Sequence, residues 1–411
     1  MNQLNLRSYR APVFGAVLVL VILVIGLVYF SFVPAQENAE FKQWVTKVWP
    51  KARAQGVSRK TFDQAFEGVV PDPEVLASAN EQPEFVKPVW EYLDTALSEK
   101  RITEGRDLLR TYKPILTRLE KKFGVDRHIL VAIWGLESAY GTHMGDLYVI
   151  RSLATLAYEG ERRKFGFAQL ISALKILERG DIPVTHFQGS WAGAMGQTQF
   201  IPTTYNAYAV DEDGDGRRNI WTSVPDALAS TANYLRASKW QINAPVVIEV
   251  KLPVDFNFKH TGLKHARPMA QWVKMGIKDV NGGSLKSSAK SGAVIVPAGA
   301  NGPAFIAFNN FRSILRYNNA IPYALAVSLL AKRFQGNGKI ESDWPLENLP
   351  LSPVQSKELQ RILSGLGHKV GKIDGMVGSN TIKAIKAYQS SKGLKADGYP
   401  GLALLNRLRK G

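Results

Sequence analysis

Apolar residues recur at helical spacing along most of the chain between residues 37 and 335. This spacing occurs in amphipathic segments of 37–125, near 150–160, at 167–177, after Ser223 and from about Arg312 to Phe334. Between residues 244 and 308 it changes to short β-branched or alternating runs separated by Gly, Ser and Lys. We therefore predict a mainly α fold of the α+β kind, with a small strand-containing insertion at about 244–308.

One charged residue interrupts an apolar helical pattern. Leu130, Ile133, Trp134 and Glu137 follow the spacing i, i+3, i+4 and i+7, which places them on one face of a helix. Asp126 is the predicted N-cap, so Glu137 falls in the last turn. Two interpretations stay open here. The carboxyl is either a desolvated general acid with a raised pKa, or an ordinary helix-end Glu paired with Lys or Arg.

The amino terminus contains an uncharged apolar run over residues 13–33. As a helix it spans roughly 30 Å, the thickness of a bilayer core. Arg7 and Arg10 precede the run and Glu37 follows it, so the positive-inside rule leaves the short tail in the cytoplasm. We predict that residues 1–36 form a cytoplasmic tail and a single transmembrane anchor. A cleaved signal peptide is the alternative.

The carboxyl-terminal part reads as a separate unit. Residues 336–351 are rich in Gly, Pro, Asn and Ser, which is typical of a linker. Residues 352–411 contain 11 Lys or Arg against 3 acids and repeat a D-G-x-x-G turn at 374–378 and 397–401. Sixty residues form a small core without room for a catalytic cavity. We predict a three-helix binding module.

Composition narrows the function classes. The formal net charge of +17 favours an anionic partner. Without a glycine-rich phosphate loop or an RNA-binding aromatic motif, nucleic acid is not the predicted partner. No cysteine is present, which excludes disulfides, thiolate zinc sites, thiol nucleophiles and lipid-modified cysteines.

A glycine-rich stretch over residues 189–202 adds neutral polar groups. Its glycines permit close approach of backbone to a ligand, while Ser190, Gln197 and Gln199 offer groups suited to sugar hydroxyls and amides. Taken alone, the stretch fits a glycine-rich helix-packing loop better than a ligand site. Together with Glu137 it predicts a saccharide site.

A third feature is the acidic run over residues 211–216. Its D-x-D-x-D-G pattern matches the first half of a calcium loop, although Thr222 stands where the loop normally has a bidentate Glu. The candidate ligands are the carboxylates of Asp211, Asp213, Asp215 and Asp226 and the carbonyl oxygen of Arg217. A solvated acidic turn is the alternative. In both cases the role is structural, and the chemistry itself is expected to need no cofactor.

Several spaced motifs resemble the membrane-bound lytic murein transglycosylase B family over about residues 40–335. They are Glu137-Ser138-Ala139-Tyr140-Gly141, residues 153–157 with Arg162-Arg163, residues 189–202, and Tyr317-Asn318. The last 60 residues are similar to peptidoglycan-binding domain 1, with matching positions at Leu359-Gln360, 374–378, Thr381 and Tyr388-Gln389.

The resemblance implies a lysozyme-like helical catalytic domain over residues 37–335 that cleaves the β-1,4 bond between N-acetylmuramic acid (MurNAc) and N-acetylglucosamine (GlcNAc) without water. Glycosidases normally use two carboxyl groups, and no second one lies on the Glu137 face. The implied mechanism needs only one. Glu137 protonates the leaving oxygen and then deprotonates the sugar's own 6-hydroxyl, which closes a 1,6-anhydro ring.

The same resemblance implies the remaining site residues and the partners. Ser190 and Gln199 would hold polar groups of the substrate. The cleft positions are Tyr92, Tyr234, Tyr317 and Tyr323, with Met195 and Gln197 beside them. The expected partners are peptidoglycan strands, the inner membrane and cell-wall assembly proteins, with the catalytic part in the periplasm. A hydrolytic muramidase and a non-catalytic peptidoglycan-binding scaffold are the alternative functions.

Overall fold

The computed structural model describes residues 39–79 and 87–411. Among these residues no helix is both long enough and apolar enough to cross a membrane. The predicted transmembrane run at residues 13–33 lies outside the described part of the chain.

The chain is mainly helical up to the insertion. The helices before it are α1 (39–53), α2 (Arg59–Phe66), α3 (Pro73–Ala79), α4 (Val89–Ala96), α5 (Glu99–Thr111), α6 (Lys113–Phe123), α7 (Arg127–Ser138), α8 (Val149–Tyr158), α9 (Arg163–Arg179), α10 (Pro202–Tyr208) and α11 (Val224–Ala237). Two short strands, β1 (Leu147–Tyr148) and β2 (Gln188–Gly189), pair antiparallel.

The insertion forms an antiparallel sheet, and helix returns after it. Its strands are β3 (Val247–Lys251), β4 (Arg267–Pro268), β5 (Lys278–Asp279), β6 (Ser291–Ile295) and β7 (Ala304–Ala307), in the spatial order β4-β6-β7-β3-β5, with helix α12 (Met269–Lys274) between β4 and β5. The helices that follow are α13 (Asn309–Tyr317), α14 (Ile321–Phe334), α15 (Pro353–Gly365), α16 (Ser379–Ser391) and α17 (Leu402–Arg409).

Helix α7 lies at the centre of the largest core, packed against α14, α11, α6 and α5. The Asp126 side chain accepts the His128 N–H, which confirms the predicted N-cap. The predicted apolar face was too narrow, because every residue from Ile129 to Gly135 is buried. The reason is that neighbouring helices surround α7, so its sequence is apolar on all sides.

The predicted linker is anchored to the catalytic part. The Trp344 ring lies 6.0 Å from that of Trp90 in α4. The Glu249 carboxylate of β3 accepts the backbone N–H groups of Glu341 and Ser342 at 3.0 and 2.9 Å. Residues 336–351 therefore form a packed strap, which composition alone does not distinguish from a free linker.

The D-G-x-x-G repeat of the carboxyl-terminal module is also a structural repeat. In the first turn, Gln360 accepts the Gly375 N–H and Asp374 accepts the Met376 N–H. In the second turn, Gln389 and Asp397 bond the Gly398 and Tyr399 N–H groups in the same way. The two turns lead into α16 and α17, so the module contains the same turn-and-helix motif twice.

The module rests on the insertion through polar contacts. The Lys386 ammonium of α16 donates to the Phe258 carbonyl at 2.9 Å and to the Thr261 hydroxyl at 2.8 Å. The Asp397 carboxylate accepts the Ala300 N–H at 2.8 Å. Burial lowers the pKa of Lys386, although the charge of Asp397 opposes this shift. These contacts fix the module against the sheet.

Candidate active site

The Glu137 carboxylate meets a tyrosine from the far end of the catalytic sequence. The Tyr323 hydroxyl of α14 donates to Glu137 Oε1 at 2.5 Å. Tyr323 is only 3% exposed. Its burial, followed by the nearby charge of Glu137, raises the pKa of the Tyr323 hydroxyl well above its usual value. Tyr323 therefore keeps its proton and acts as a hydrogen-bond donor to the carboxylate.

The backbone after α7 turns sharply next to Glu137. Ala139, Tyr140 and Gly141 all have positive φ, at 45°, 61° and 87°. For Ala and Tyr this conformation costs about 1 kcal/mol or more each, so the surroundings must hold it in place. The Tyr140 hydroxyl does so by donating to the Arg101 carbonyl at 2.7 Å. This turn ends the buried helix one residue after Glu137.

The glycine-rich loop is tied to the same turn. The Ser138 hydroxyl donates to the Gln197 carbonyl at 2.5 Å. Gly145 lies against the loop so closely that a Cβ there would be 2.4 Å from the Gly189 carbonyl oxygen. Only glycine fits at that distance. The loop is therefore held against the end of α7.

Two predicted substrate residues of the loop present hydrogen-bonding groups. Ser190 Oγ accepts the Ala194 N–H at 3.0 Å, which leaves its hydroxyl proton available for a further acceptor. Gln199 is half-buried with φ at 49°, and its amide nitrogen donates to the Met144 and Gly196 carbonyls at 3.0 Å each. Its amide oxygen remains an acceptor for a ligand.

The other two predicted loop residues face inward. Met195 is fully buried and Gln197 is only 5% exposed. The Gln197 amide donates to the Trp221 carbonyl at 3.3 Å. They lie beneath the loop, and their place beside the cleft stays a prediction. Met195 pairs with Phe200 in a tight bridge, which turns its side chain into the core.

The predicted tyrosines gather near Glu137. The rings of Tyr234 and Tyr317 lie 5.1 Å apart, and the Tyr317 hydroxyl donates to the Thr198 carbonyl. Burial first, and then the charge of Glu137, raise the pKa of Tyr317. Half-buried Tyr92 lies near enough to Tyr323 to contribute to the raised pKa of that hydroxyl. Aromatic and neutral polar groups therefore surround the carboxylate.

The acidic loop brings three of its predicted ligands together. Carboxylate oxygens of Asp211, Asp213 and Asp226 all lie within 4.8 Å of one another. Two oxygens bound to one Ca²⁺ lie up to about 5 Å apart, so this spacing fits the ion. Asp215 is outside the group and instead accepts the Arg217 N–H at 2.8 Å. The Arg217 carbonyl remains a predicted ligand.

Asp226 is the buried member of the group. Its side chain accepts N–H groups from Glu212, Asp213 and Asn219. Burial nevertheless raises the pKa of Asp226, and the charge of Asp213 adds to the increase. A carboxylate in this position gains from a bound cation, which would relieve both effects. The donor set therefore fits a hard cation.

Sequence reasoning missed the residues that frame the site. Ser138, Tyr140 and Thr198 hold the turn, the loop and Tyr317 in place by hydrogen bonds. They lie within the motifs that carry the family resemblance, but the sequence assigned none of them a role. The bond between Glu137 and Tyr323 joins residues 186 positions apart. Only the family resemblance indicated Tyr323, because a single sequence does not show which helices meet.

Comparison with known proteins agrees with both resemblances. A family model described as "Transglycosylase SLT domain" matches residues 40–332, and a peptidoglycan binding domain model matches residues 353–408. The chain is 30% identical over 243 residues to membrane-bound lytic murein transglycosylase B of Escherichia coli, which is 57% of this chain and 64% of that protein. The alignment thus spans less than two thirds of that relative.

Solved structures share the fold. SltB3 of Pseudomonas aeruginosa, in complex with NAG-anhNAM-pentapeptide, is 53% identical with a TM-score of 0.88 and covers 90% of this chain and 99% of its own. SLT35 of Escherichia coli, in complex with calcium, is 25% identical with a TM-score of 0.61, covering 72% and 92%. The matched domain model and the mainly helical fold with its small sheet lead to the same conclusion: this chain belongs to the transglycosylase SLT domain family.

Proposed function

We propose that this protein is a lytic transglycosylase that cleaves the β-1,4 bond between MurNAc and GlcNAc in peptidoglycan and leaves a 1,6-anhydro-MurNAc end. The observation that carries the proposal is the Glu137 carboxyl held by the Tyr323 hydroxyl among neutral polar and aromatic side chains. The family match and the complexed sugar of SltB3 support the substrate class.

One carboxyl performs both proton transfers. Glu137 first protonates the glycosidic oxygen, and the bond from that oxygen to C1 of MurNAc breaks. The resulting carboxylate then takes the proton of the 6-hydroxyl while O6 bonds to C1, so the enzyme returns to its starting state and no water is consumed. Because the nucleophile belongs to the same sugar, a second carboxylate is not needed.

The surroundings of Glu137 serve these steps. The Tyr323 hydroxyl stabilises the carboxylate that forms after the first transfer, since charge-assisted hydrogen bonds are the stronger kind. The Ser190 hydroxyl and the Gln199 amide oxygen are positioned as a donor and an acceptor for substrate groups. The Tyr234 and Tyr317 rings supply apolar faces for sugars.

Product analysis tests the proposal directly. Mass spectrometry of murein digested by the purified protein is expected to show muramyl products about 18 Da lighter than hydrolysis gives, the mass of the water that anhydro closure spares. Reducing MurNAc ends alone would identify a hydrolytic muramidase. Murein binding without any products would identify a non-catalytic scaffold.

We propose that the carboxyl-terminal module adds a second contact with the cell wall. Two linked weak contacts hold a polymer longer than either does alone. Removing residues 352–411 is expected to weaken sedimentation with insoluble murein more than cleavage of soluble glycan strands. Loss of soluble cleavage together with loss of sedimentation would place the module in the active site.

We propose that the acidic loop binds a structural Ca²⁺ ion. The close carboxylates of Asp211, Asp213 and Asp226 support it, as does the calcium complex of the relative SLT35. Micromolar to millimolar Ca²⁺ is expected to raise the melting temperature of the metal-free protein, whereas Mg²⁺ at equal concentration raises it less. An unchanged melting temperature would favour a solvated acidic turn.

We propose that residues 13–33 anchor the protein in the inner membrane with its catalytic part in the periplasm. The uncharged apolar run and the two preceding arginines support this orientation. Cell fractionation is expected to find the protein in the membrane fraction, and protease added to spheroplasts should degrade it. Recovery of a shortened soluble form would favour a cleaved signal peptide.

A further inference from the structure

A small cavity lies beside Tyr317. Its volume is about 160 Å³, and its lining includes Gln199, Phe200, Thr204, Tyr234, Arg316 and Tyr317. Tyr317 is also close enough to Glu137 for the charge of that carboxylate to raise the pKa of its hydroxyl. A cavity of this size holds about five water molecules, which suits a substituent of a bound sugar better than a further sugar ring.

Arg316 brings a positive charge to this cavity. It lies in the last turn of α13, is exposed, and has no ion-pair partner among the residues that the structure describes. Its backbone carbonyl accepts the Tyr234 hydroxyl, a main-chain contact that keeps the position fixed whatever the side chain. The guanidinium is near enough to Tyr234 to lower the pKa of that hydroxyl slightly against the larger upward effect of burial.

An unpaired guanidinium among neutral hydrogen-bonding groups is suited to a carboxylate, since its planar donor fork matches the two oxygens. The sugars of peptidoglycan are otherwise neutral. Carboxylates occur on the lactyl group of peptide-free MurNAc and on the stem peptide, whose attachment turns the lactyl carboxyl into a neutral amide.

We propose that Arg316 binds a carboxylate borne by the MurNAc residue in the cleft and so determines which strands are cleaved efficiently. The inference rests on the proposed function and deepens it, because it names the charged group of the substrate that the site recognises. Arg316 is then a specificity-determining residue that does not take part in proton transfer.

The test compares three substrates: peptide-free glycan strands, the same strands with lactyl carboxyls converted to neutral methyl amides, and strands with stem peptides. Each is digested by the full-length protein, by Arg316→Ala and by Arg316→Lys. Arg53→Ala is the matched control, because it removes an exposed arginine of α1 that makes no ion pair in the described part of the chain.

Loss of one charge-assisted contact is expected to lower kcat/KM about tenfold on the carboxylate substrate, mainly through KM. The Arg316→Ala protein should cleave amidated strands as fast as the parent protein does. On the carboxylate substrate, kcat/KM of Arg316→Lys should lie between the values of Arg316→Ala and the parent protein. A loss confined to peptide-free strands identifies the lactyl carboxylate as the ligand, and one confined to peptide-bearing strands identifies the stem peptide.

An Arg316→Ala protein that retains the parent's preference for carboxylate over amidated strands would overturn the inference. An equal loss on all three substrates through kcat would overturn it as well, since that is the result of a purely structural role. The proposed function fails in a different way, namely through reducing ends in the products of the parent protein. In that case the ratio of kcat/KM between carboxylate and amidated strands still tests the role of Arg316.

Discussion

Glu137 and the acidic loop are two carboxylate sites built in opposite ways. At Glu137 a single carboxyl receives the hydroxyl of Tyr323 from another helix. In the loop, Asp211, Asp213 and Asp226 lie within 15 positions of one another in the sequence, and each of the three accepts a backbone N–H group. A carboxyl that must gain and lose a proton needs neighbours that keep theirs. Clustered carboxylates instead favour a fixed positive ion.

The sharpest test of this contrast is Glu137→Gln. The amide still accepts the Tyr323 hydroxyl but neither donates nor accepts the catalytic proton, so cleavage of murein is expected to fall about 1,000-fold or more. Release of soluble muropeptides measures it, with murein sedimentation and circular dichroism unchanged. Glu99→Gln, at an exposed position of α5, is the control. Retained activity within tenfold would remove Glu137 from the acid role.

The next largest effect is a loss of stability, expected on replacement of Asp226. Replacing it by Ala leaves the N–H groups of Glu212, Asp213 and Asn219 without their acceptor and costs about 3 kcal/mol of unfolding free energy. The stabilisation by Ca²⁺ should disappear in the same variant, as read from denaturant unfolding with and without the ion. Asp215→Ala, at an exposed position of the same loop, is the control and should lose much less unfolding free energy. Equal losses would show that Asp215 belongs to the ion site.

The stabilisation by Ca²⁺ is expected to depend on pH. Because the pKa of Asp226 is raised in the folded state, its ionised form lowers stability as pH rises through that pKa. Bound Ca²⁺ offsets the loss. The gain from Ca²⁺ should therefore be largest at neutral pH and shrink in acid.

Tyr323→Phe is expected to lower kcat about tenfold, because it removes one hydrogen bond to the Glu137 carboxylate and leaves the ring in place. The protein should remain folded. Tyr148→Phe is matched, since it also removes a hydroxyl, one that donates to the Ala65 carbonyl at 2.9 Å. An unchanged kcat in Tyr323→Phe would show that proton transfer does not depend on this bond.

The smallest effect is expected at Glu212, the acid of the loop that points away from the cluster. Burial would raise the pKa of its carboxyl, but hydrogen bonds from Lys122 and Arg118 outweigh this and hold it below its ordinary value of 4.5. Its stabilisation is present above pH 4.5 and is lost as pH falls through the lower folded pKa. The Glu212 side chain is buried, but both partners are half exposed and the Gln amide oxygen still accepts one of their hydrogen bonds. Glu212→Gln should therefore cost about 1 kcal/mol near pH 7 and flatten the acid limb of the stability profile.

Local patterns in the sequence predicted the elements around both sites. The Asp126 cap of α7 is confirmed, and the helical spacing at 167–177 and after Ser223 corresponds to α9 and α11. Each depends on side chains within a few residues, which is why a single sequence reveals it. The D-G-x-x-G repeat was predicted for the same reason.

Features that depend on contacts between distant parts of the sequence were harder to predict. The spacing of α7 suggested one apolar face, whereas helices on every side bury it. The family resemblance placed Met195 and Gln197 beside the cleft, and the structure buries both side chains beneath the loop. The strap at 336–351 has a linker's composition, and its anchoring comes from Trp90 and Glu249 elsewhere in the chain.

By itself the sequence determined a mainly helical enzyme domain with one unusual carboxyl, an acidic loop and a basic terminal module. Only the tertiary structure decided what surrounds that carboxyl. The site around Glu137 forms because α14 places Tyr323, and α13 places Tyr317, next to this carboxyl. The reason is physical: helix spacing encodes which face is buried, while the partner that buries it follows from packing among segments far apart in sequence.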